Sequence, residues 1–245
     1  MVDRRKFIQT CLLSLAAVSM SSTSCAKLLE DRTPHPCGQP DDKLPAVLEP
    51  VQEGTLVGGR QIKLIGVGGG GSNAAWHMID SGVSSIEYIF ANTDMNALKR
   101  CAAHKTIQLH RKTLSARTKH GRCRQTAELA TNDIRSAING ADMLFITVGM
   151  GGGTGTEAAP VIARIAKEMG IHTVAVVTMP FSWEGVRRMK YADNGVVELQ
   201  AYTDTLVVIP NDRLLEGLGE DVCVDDAFCH VNEMIKVTVL GMAGI

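Results

Sequence analysis

At 245 residues the chain is long enough to bury the core of one substantial α/β domain or of two small ones. Its 45% hydrophobic and 21% charged residues exclude a disordered chain and fit a globular one. A net charge of −1 and an aromatic content of 4% argue against nucleic acid as partner, since that class is bound through basic surface and base stacking.

The first 25 residues have the three-part form of an export-type leader. Basic MVDRRKF precedes the apolar run IQTCLLSLAAVSM and the small-residue stretch SSTSC, and Arg4-Arg5 with Phe7 resembles a twin-arginine leader. The apolar run is too short for a stable membrane span. Ser22-Thr23-Ser24-Cys25 lacks the aliphatic residue that a lipoprotein cleavage box carries before its cysteine. An uncleaved tail is the alternative reading. Residues 26–60, rich in Pro, Gly and charge (DRTPHPCGQPDDKLP), read as a linker that does not pack on the domain beginning at Gln61. None of the seven cysteines forms a CxxC pair, which reads as reduced thiols, not a disulfide framework or a zinc site.

From residue 61 to 245 the pattern changes. Apolar runs with β character occur at IKLIGV (62–67), SIEYIFA (85–91), MLFITV (143–148), TVAVVT (173–178) and TLVVIP (205–210). Segments with helical spacing lie between them: SNAAWHMIDS, GRCRQTAELATNDIRSAI, TEAAPVIARIAKEM and EGVRRMKYADNGVVELQ, with a last helix over about 224–240. Strands apolar on both faces, alternating with helices, predict a doubly wound α/β domain, a mostly parallel sheet with helices on both faces.

Two strands run directly into glycine turns. Gly66, Gly68 and Gly71 satisfy GxGxxG between a strand and a helix, a weak signal shared with dinucleotide sites. The second turn, GMGGGTGTE, repeats the arrangement and adds the hydroxyls of Thr154 and Thr156. Bare backbone at a helix amino terminus offers free N–H groups to phosphate, and two such turns at one sheet edge can grip one polyphosphate. Neither contains the GK[ST] of a Walker loop.

GGGTGT at 151–156 closely resembles the tubulin signature loop. With VGGGGSNA (67–74), ANTDMNAL (91–98), VTMPFSWEGVRRM (177–189) and DTLVVIPNDRLLE (204–216) in order, the chain from Gln61 onward resembles the FtsZ family, tubulin-like GTPases of bacterial cell division. The resemblance implies GTP or GDP as ligand, with Mg2+ on the phosphates. It implies Gly69, Gly70, Gly71, Ser72 and Asn73 around the nucleotide at the first turn, and Gly153, Thr154 and Gly155 donating to its phosphates. Glu184 and Arg188 match ribose and phosphate contacts, with an i,i+4 ion pair as the plainer reading. Asn211 and Asn232 would read guanine, whose mixed edge suits an amide that both donates and accepts. Partners implied are full-length FtsZ-type subunits or further copies of the chain. The cytoplasm, where GTP is available, is the expected compartment, with export through the leader as the alternative.

Three departures qualify that expectation. Glu157 stands where the family has glycine. At roughly 6 Å and an effective dielectric near 20, its charge would cost ~2–3 kcal/mol against each phosphate charge. The family's glycine-rich loop before GRCRQTAEL is replaced by RKTLSARTKHG, with four basic residues before His120. Finally, the sequence stops near the end of the central helix, before the acidic catalytic loop and second domain of the family. The family activity, GTP hydrolysis coupled to filament assembly, is therefore one reading. A non-catalytic GTP-binding relative that caps or modulates a full-length partner is the other, and a dinucleotide-dependent oxidoreductase is the third. No catalytic residue is assigned.

Overall fold

A computed structural model describes residues 59–101, 104–109, 122–215 and 223–245. The leader, the linker up to residue 58 and the basic segment 111–121 fall outside the described residues. Six strands form one all-parallel sheet in the order β3-β2-β1-β4-β5-β6. They are β1 Ile62–Val67, β2 Glu87–Asn92, β3 Lys105–Gln108, β4 Met143–Gly149, β5 His172–Met179 and β6 Thr205–Pro210. Strand order reverses between β1 and β4, so the crevice beyond their carboxyl ends is the topological switch point where such sheets hold ligands. Both glycine turns begin there.

Eight α-helices lie among the described residues: α1 Gly68–Asp80, α2 Met95–Lys99, α3 Arg122–Leu129, α4 Thr131–Ile138, α5 Gly153–Glu168, α6 Val186–Gln200, α7 Asn211–Leu215 and α8 Val224–Ala243. Period-two alternation along β4 decides which face each residue fills. Leu144, Ile146 and Val148 join the core under α3–α6, whereas Met143 and Phe145 join the core under α1 and α8. Each fully buried side chain of this kind contributes about 1.5–3 kcal/mol relative to exposure.

The single helix expected over 121–138 is two. The Ala130 amide is shared between the Thr126 and Ala127 carbonyls, and the Thr131 hydroxyl donates to Glu128 O. Side-chain competition for a backbone carbonyl interrupts the ladder there. Strand β3 leaves little pattern in the sequence because Ile107 is its one buried residue. Helix α2 is too short to show a period; Asp94 caps it by accepting from Asn96 N at 2.8 Å.

At the amino ends of the strands, Lys63 is buried in β1. Its Nζ donates to Ala137 O at 3.1 Å and Asn139 O at 2.8 Å, and pairs with Glu87 at 3.2 Å. These carbonyls close α4, where a cation is favoured. Glu87 also pairs with Lys105.

Candidate functional site

The β1–α1 and β4–α5 turns meet at the switch point and open on a cavity of about 450 Å³. Gly68 has φ +68°, and a Cβ there would come within 3.2 Å of Gly155 N, so the turns touch backbone to backbone. Neither α1 nor α5 has a side-chain cap or an acidic residue in its first turn. The first amides of both helices thus remain without intrahelical partners, and both dipoles carry their positive ends to the same crevice. The Thr156 hydroxyl accepts from Gly151 N at 2.9 Å and shapes the second turn. Thr154 and Thr93 hydroxyls meet at 2.9 Å across it.

Ten of the twelve residues expected from the sequence lie on the cavity wall: Gly69, Gly70, Asn73, Gly153, Thr154, Gly155, Glu184, Arg188, Asn211 and Asn232. Gly71 and Ser72 do not. A Cβ on Gly71 would stand 2.1 Å from Thr147 O, so this glycine is needed for helix α1 to lie against β4. Ser72 is buried behind the turn. Both serve packing.

Glu184 and Arg188 reach the wall and pair with each other at 2.8 Å, the ion pair that their i,i+4 spacing predicts. Glu184 further accepts from Phe181 N at 2.9 Å, which fixes its carboxylate. Asn211 opens α7 at the carboxyl end of β6, only 4% exposed. Its Oδ1 is buried and accepts no hydrogen bond. An orphaned acceptor of this kind costs about 1–3 kcal/mol until a donor from a ligand or a water meets it.

Phe228, one turn before Asn232 on α8, also lines the cavity. Its ring meets buried Phe181 edge-on at 5.3 Å, and Phe181 stacks on Trp183 at 4.1 Å. Phe228 was not among the residues expected from the sequence, although its i,i+4 spacing from Asn232 carried the signal.

Glu157 departs from its expected place beside the phosphates. Only 6% exposed, it turns away from the cavity. Oε2 accepts from Cys123 N at 3.0 Å and Arg124 N at 3.2 Å, and Oε1 accepts from Tyr191 Oη at 2.5 Å. Burial, then the Glu157 carboxylate, pushes the Tyr191 phenol above its ordinary range and keeps it a donor. Arg124 also pairs with Glu198 of α6, so one carboxylate ties α3, α5 and α6 together.

A model of the Tubulin/FtsZ family, GTPase domain, matches residues 61–219. The chain belongs to the tubulin/FtsZ family. It is 48% identical over 185 residues to cell division protein FtsZ of Buchnera aphidicola subsp. Acyrthosiphon pisum, covering 74% of this chain and 48% of that protein. To FtsZ of Pseudomonas aeruginosa it is 49% identical over 187 residues, covering 75% and 48%. Among solved structures, an empty FtsZ dimer of M. jannaschii matches with a TM-score of 0.68 at 38% identity, over 74% of this chain and 54% of that one. The chain spans about half the length of the FtsZ relatives it matches. No helix among the described residues is long and apolar enough to cross a membrane.

Proposed function

We propose that the cavity binds a guanine nucleotide, GTP or GDP, and that this chain supplies the nucleotide-binding half of an FtsZ-type cell-division GTPase. The observation that carries the reading is Asn211: a buried, unsatisfied acceptor stands across the cavity from two uncapped helix amino termini. Such a wall calls for a ligand with N–H donors at one end and anionic oxygens at the other. A guanine nucleotide has both. Gly69, Gly70, Gly153, Thr154 and Gly155 would present backbone N–H groups to the phosphates, with Arg188 as a further cation. Asn73 and Glu184 would contact the sugar end, Phe228 would lie against the base, and Asn211 and Asn232 would read its edge. Mg2+ would enter on the phosphate oxygens and neutralise their charge, since this ion keeps most of its waters and takes few protein oxygens.

Turnover is a separate matter. Among the described wall residues the one carboxylate is Glu184, and Arg188 occupies it. A water beside the terminal phosphate would lack a carboxylate to orient it, a role worth ~10²–10⁴-fold. We therefore propose that the isolated chain binds without appreciable hydrolysis, and that partner subunits of the FtsZ type complete the reaction. The family assignment leaves no support for the oxidoreductase reading.

Competition among GTP, ATP and NAD for the purified chain tests the ligand. The expected order is GTP far ahead of the other two, and Asn232→Ala should erode that preference by ~1–3 kcal/mol. An unchanged preference for GTP over ATP in that variant refutes the base-reading assignment. For turnover, phosphate release should be negligible at every protein concentration and rise when a full-length homologue is added. Concentration-dependent hydrolysis by the chain alone refutes that part.

A further inference from the structure

We infer that Glu233 is a positioning residue for base recognition: bonded to His77 of α1, it holds α8 at the rotation that turns Asn232 to the cavity. The inference rests on the nucleotide reading above and concerns the base end of the site. Helix α8 gives the cavity Phe228, Val231, Asn232 and Ile235, which at i, i+3, i+4 and i+7 form one helical face. Helix α1 gives it the first glycine turn and Asn73. Neither Glu233 nor His77, which lies one turn beyond Asn73, is a wall residue.

Behind the cavity the two helices share one apolar cluster, with Ala74, Ala75 and Met78 from α1 and Val231, Ile235 and Val239 from α8. Apolar contact is non-directional and tolerates small turns of α8 about its own axis. The polar contact between the helices is directional. His77 Nε2 donates to Glu233 Oε2 at 2.9 Å, across 156 residues of chain, and Lys236 Nζ pairs with the same oxygen at 2.6 Å. Lys236 also reaches Ser81 Oγ, at the carboxyl end of α1, at 3.4 Å. Burial pushes the Glu233 carboxyl up, but Lys236 and His77 more than offset this and hold it below the ordinary carboxylate range. It is therefore an ionised acceptor at neutral pH. Adjacent side chains on a helix stand roughly 100° apart, so tying Glu233 to α1 carries Asn232 round to the nucleotide side. Setting register within an apolar interface is the best-attested use of such a pair.

The test is the ratio of dissociation constants for ATP and GTP, measured by calorimetry on the whole chain. The wild type should favour GTP. His77→Ala and Glu233→Ala should each lower that preference by about three- to fivefold, as much as a half-exposed ion pair can transmit. The double variant should lose no more than either single one, because both remove the same contact. Thermal melting reports folding, and His77→Ala, which places the best helix former in α1, decides the matter if Glu233→Ala does not fold.

A contact that only stabilises the fold would weaken GTP and ATP alike, so an unmoved ratio in His77→Ala overturns the inference. A fall in Glu233→Ala alone means that the carboxylate touches the base itself, and overturns it too. So does a double variant that loses the product of the two single losses. A wild type that binds neither nucleotide, or binds both equally, overturns the nucleotide reading and the inference together. An unmoved ratio in variants of a GTP-selective wild type leaves the nucleotide reading standing.

Discussion

The two ends of the parallel sheet handle buried polar groups in opposite ways. At the amino ends, Lys63 gives its protons to Ala137 O, Asn139 O and Glu87, and Lys105 reinforces Glu87. At the carboxyl ends, the first turns of α1 and α5 are uncapped and the Asn211 acceptor is unmet. A satisfied buried charge holds a fold together. Unsatisfied groups gathered around a cavity raise the energy of the empty protein and are relieved by a ligand. The amino end is thus a fastening and the carboxyl end is a receptor, though the same strands build both.

Substitutions at the two ends should therefore separate stability from binding. The largest effect is expected from Gly71→Ala, whose methyl group would collide with Thr147 O. Although Gly71 lies in the site's own turn, chemical denaturation should show a loss of about 3 kcal/mol, the cost of forcing α1 off β4. Stability within about 1 kcal/mol of wild type would contradict its packing role. Glu87→Gln should come next, with a loss of roughly 2–3 kcal/mol because Lys63 is left buried beside a neutral partner. Nucleotide affinity in that variant should stay at the wild-type level once folding is allowed for.

Asn211→Ala should do the reverse. Nucleotide binding should weaken by roughly ten- to a hundredfold through loss of about 1–3 kcal/mol, while the melting temperature of the empty protein holds or rises because an orphaned acceptor is gone. A fall in melting temperature without a change in affinity would place Asn211 among the fastenings.

The smallest effect concerns pH. Burial pushes the Glu87 carboxyl up, but Lys105 and Lys63 more than offset this and hold it below the ordinary carboxylate range. A carboxyl depressed in the folded state stabilises at pH above its unfolded value, and that contribution is lost as pH falls through the folded value. Stability should therefore decline across the acid range below that of a free carboxylate, and Glu87→Gln should make the decline shallower. Parallel acid limbs in the two proteins would show that Glu87 does not carry it.

The doubly wound architecture was legible because strands buried on both faces leave continuous apolar runs, and five of the six observed strands overlap those runs. The ten wall residues were legible through the resemblance to the FtsZ family, whose matching segments are each local in the sequence. Glu184 and Arg188 lie four apart, and the glycines directly follow their strands. Lys63 was not legible as a fastening, since its partners Glu87 and Asn139 lie 24 and 76 residues on in the chain. The breaks and short elements, such as Ala130 and β3, were missed because one hydroxyl or one buried isoleucine leaves little periodic trace.

By itself the sequence determined the α/β class, the two phosphate-type turns and membership of the tubulin/FtsZ family, because each is written in local order along the chain. It could not determine the direction in which Glu157 points. Next to GGGTGT, a carboxylate reads as a repulsive neighbour of phosphate. Only the packing of α3 and α6 against α5 supplies the Cys123 and Arg124 amides and the Tyr191 hydroxyl that draw it away. Nor could the sequence show that Gly71, named through the family resemblance, also lies against Thr147, a residue 76 positions along the chain. Side-chain direction and backbone approach depend on partners distant in sequence, and those are fixed only when the helices close on the sheet.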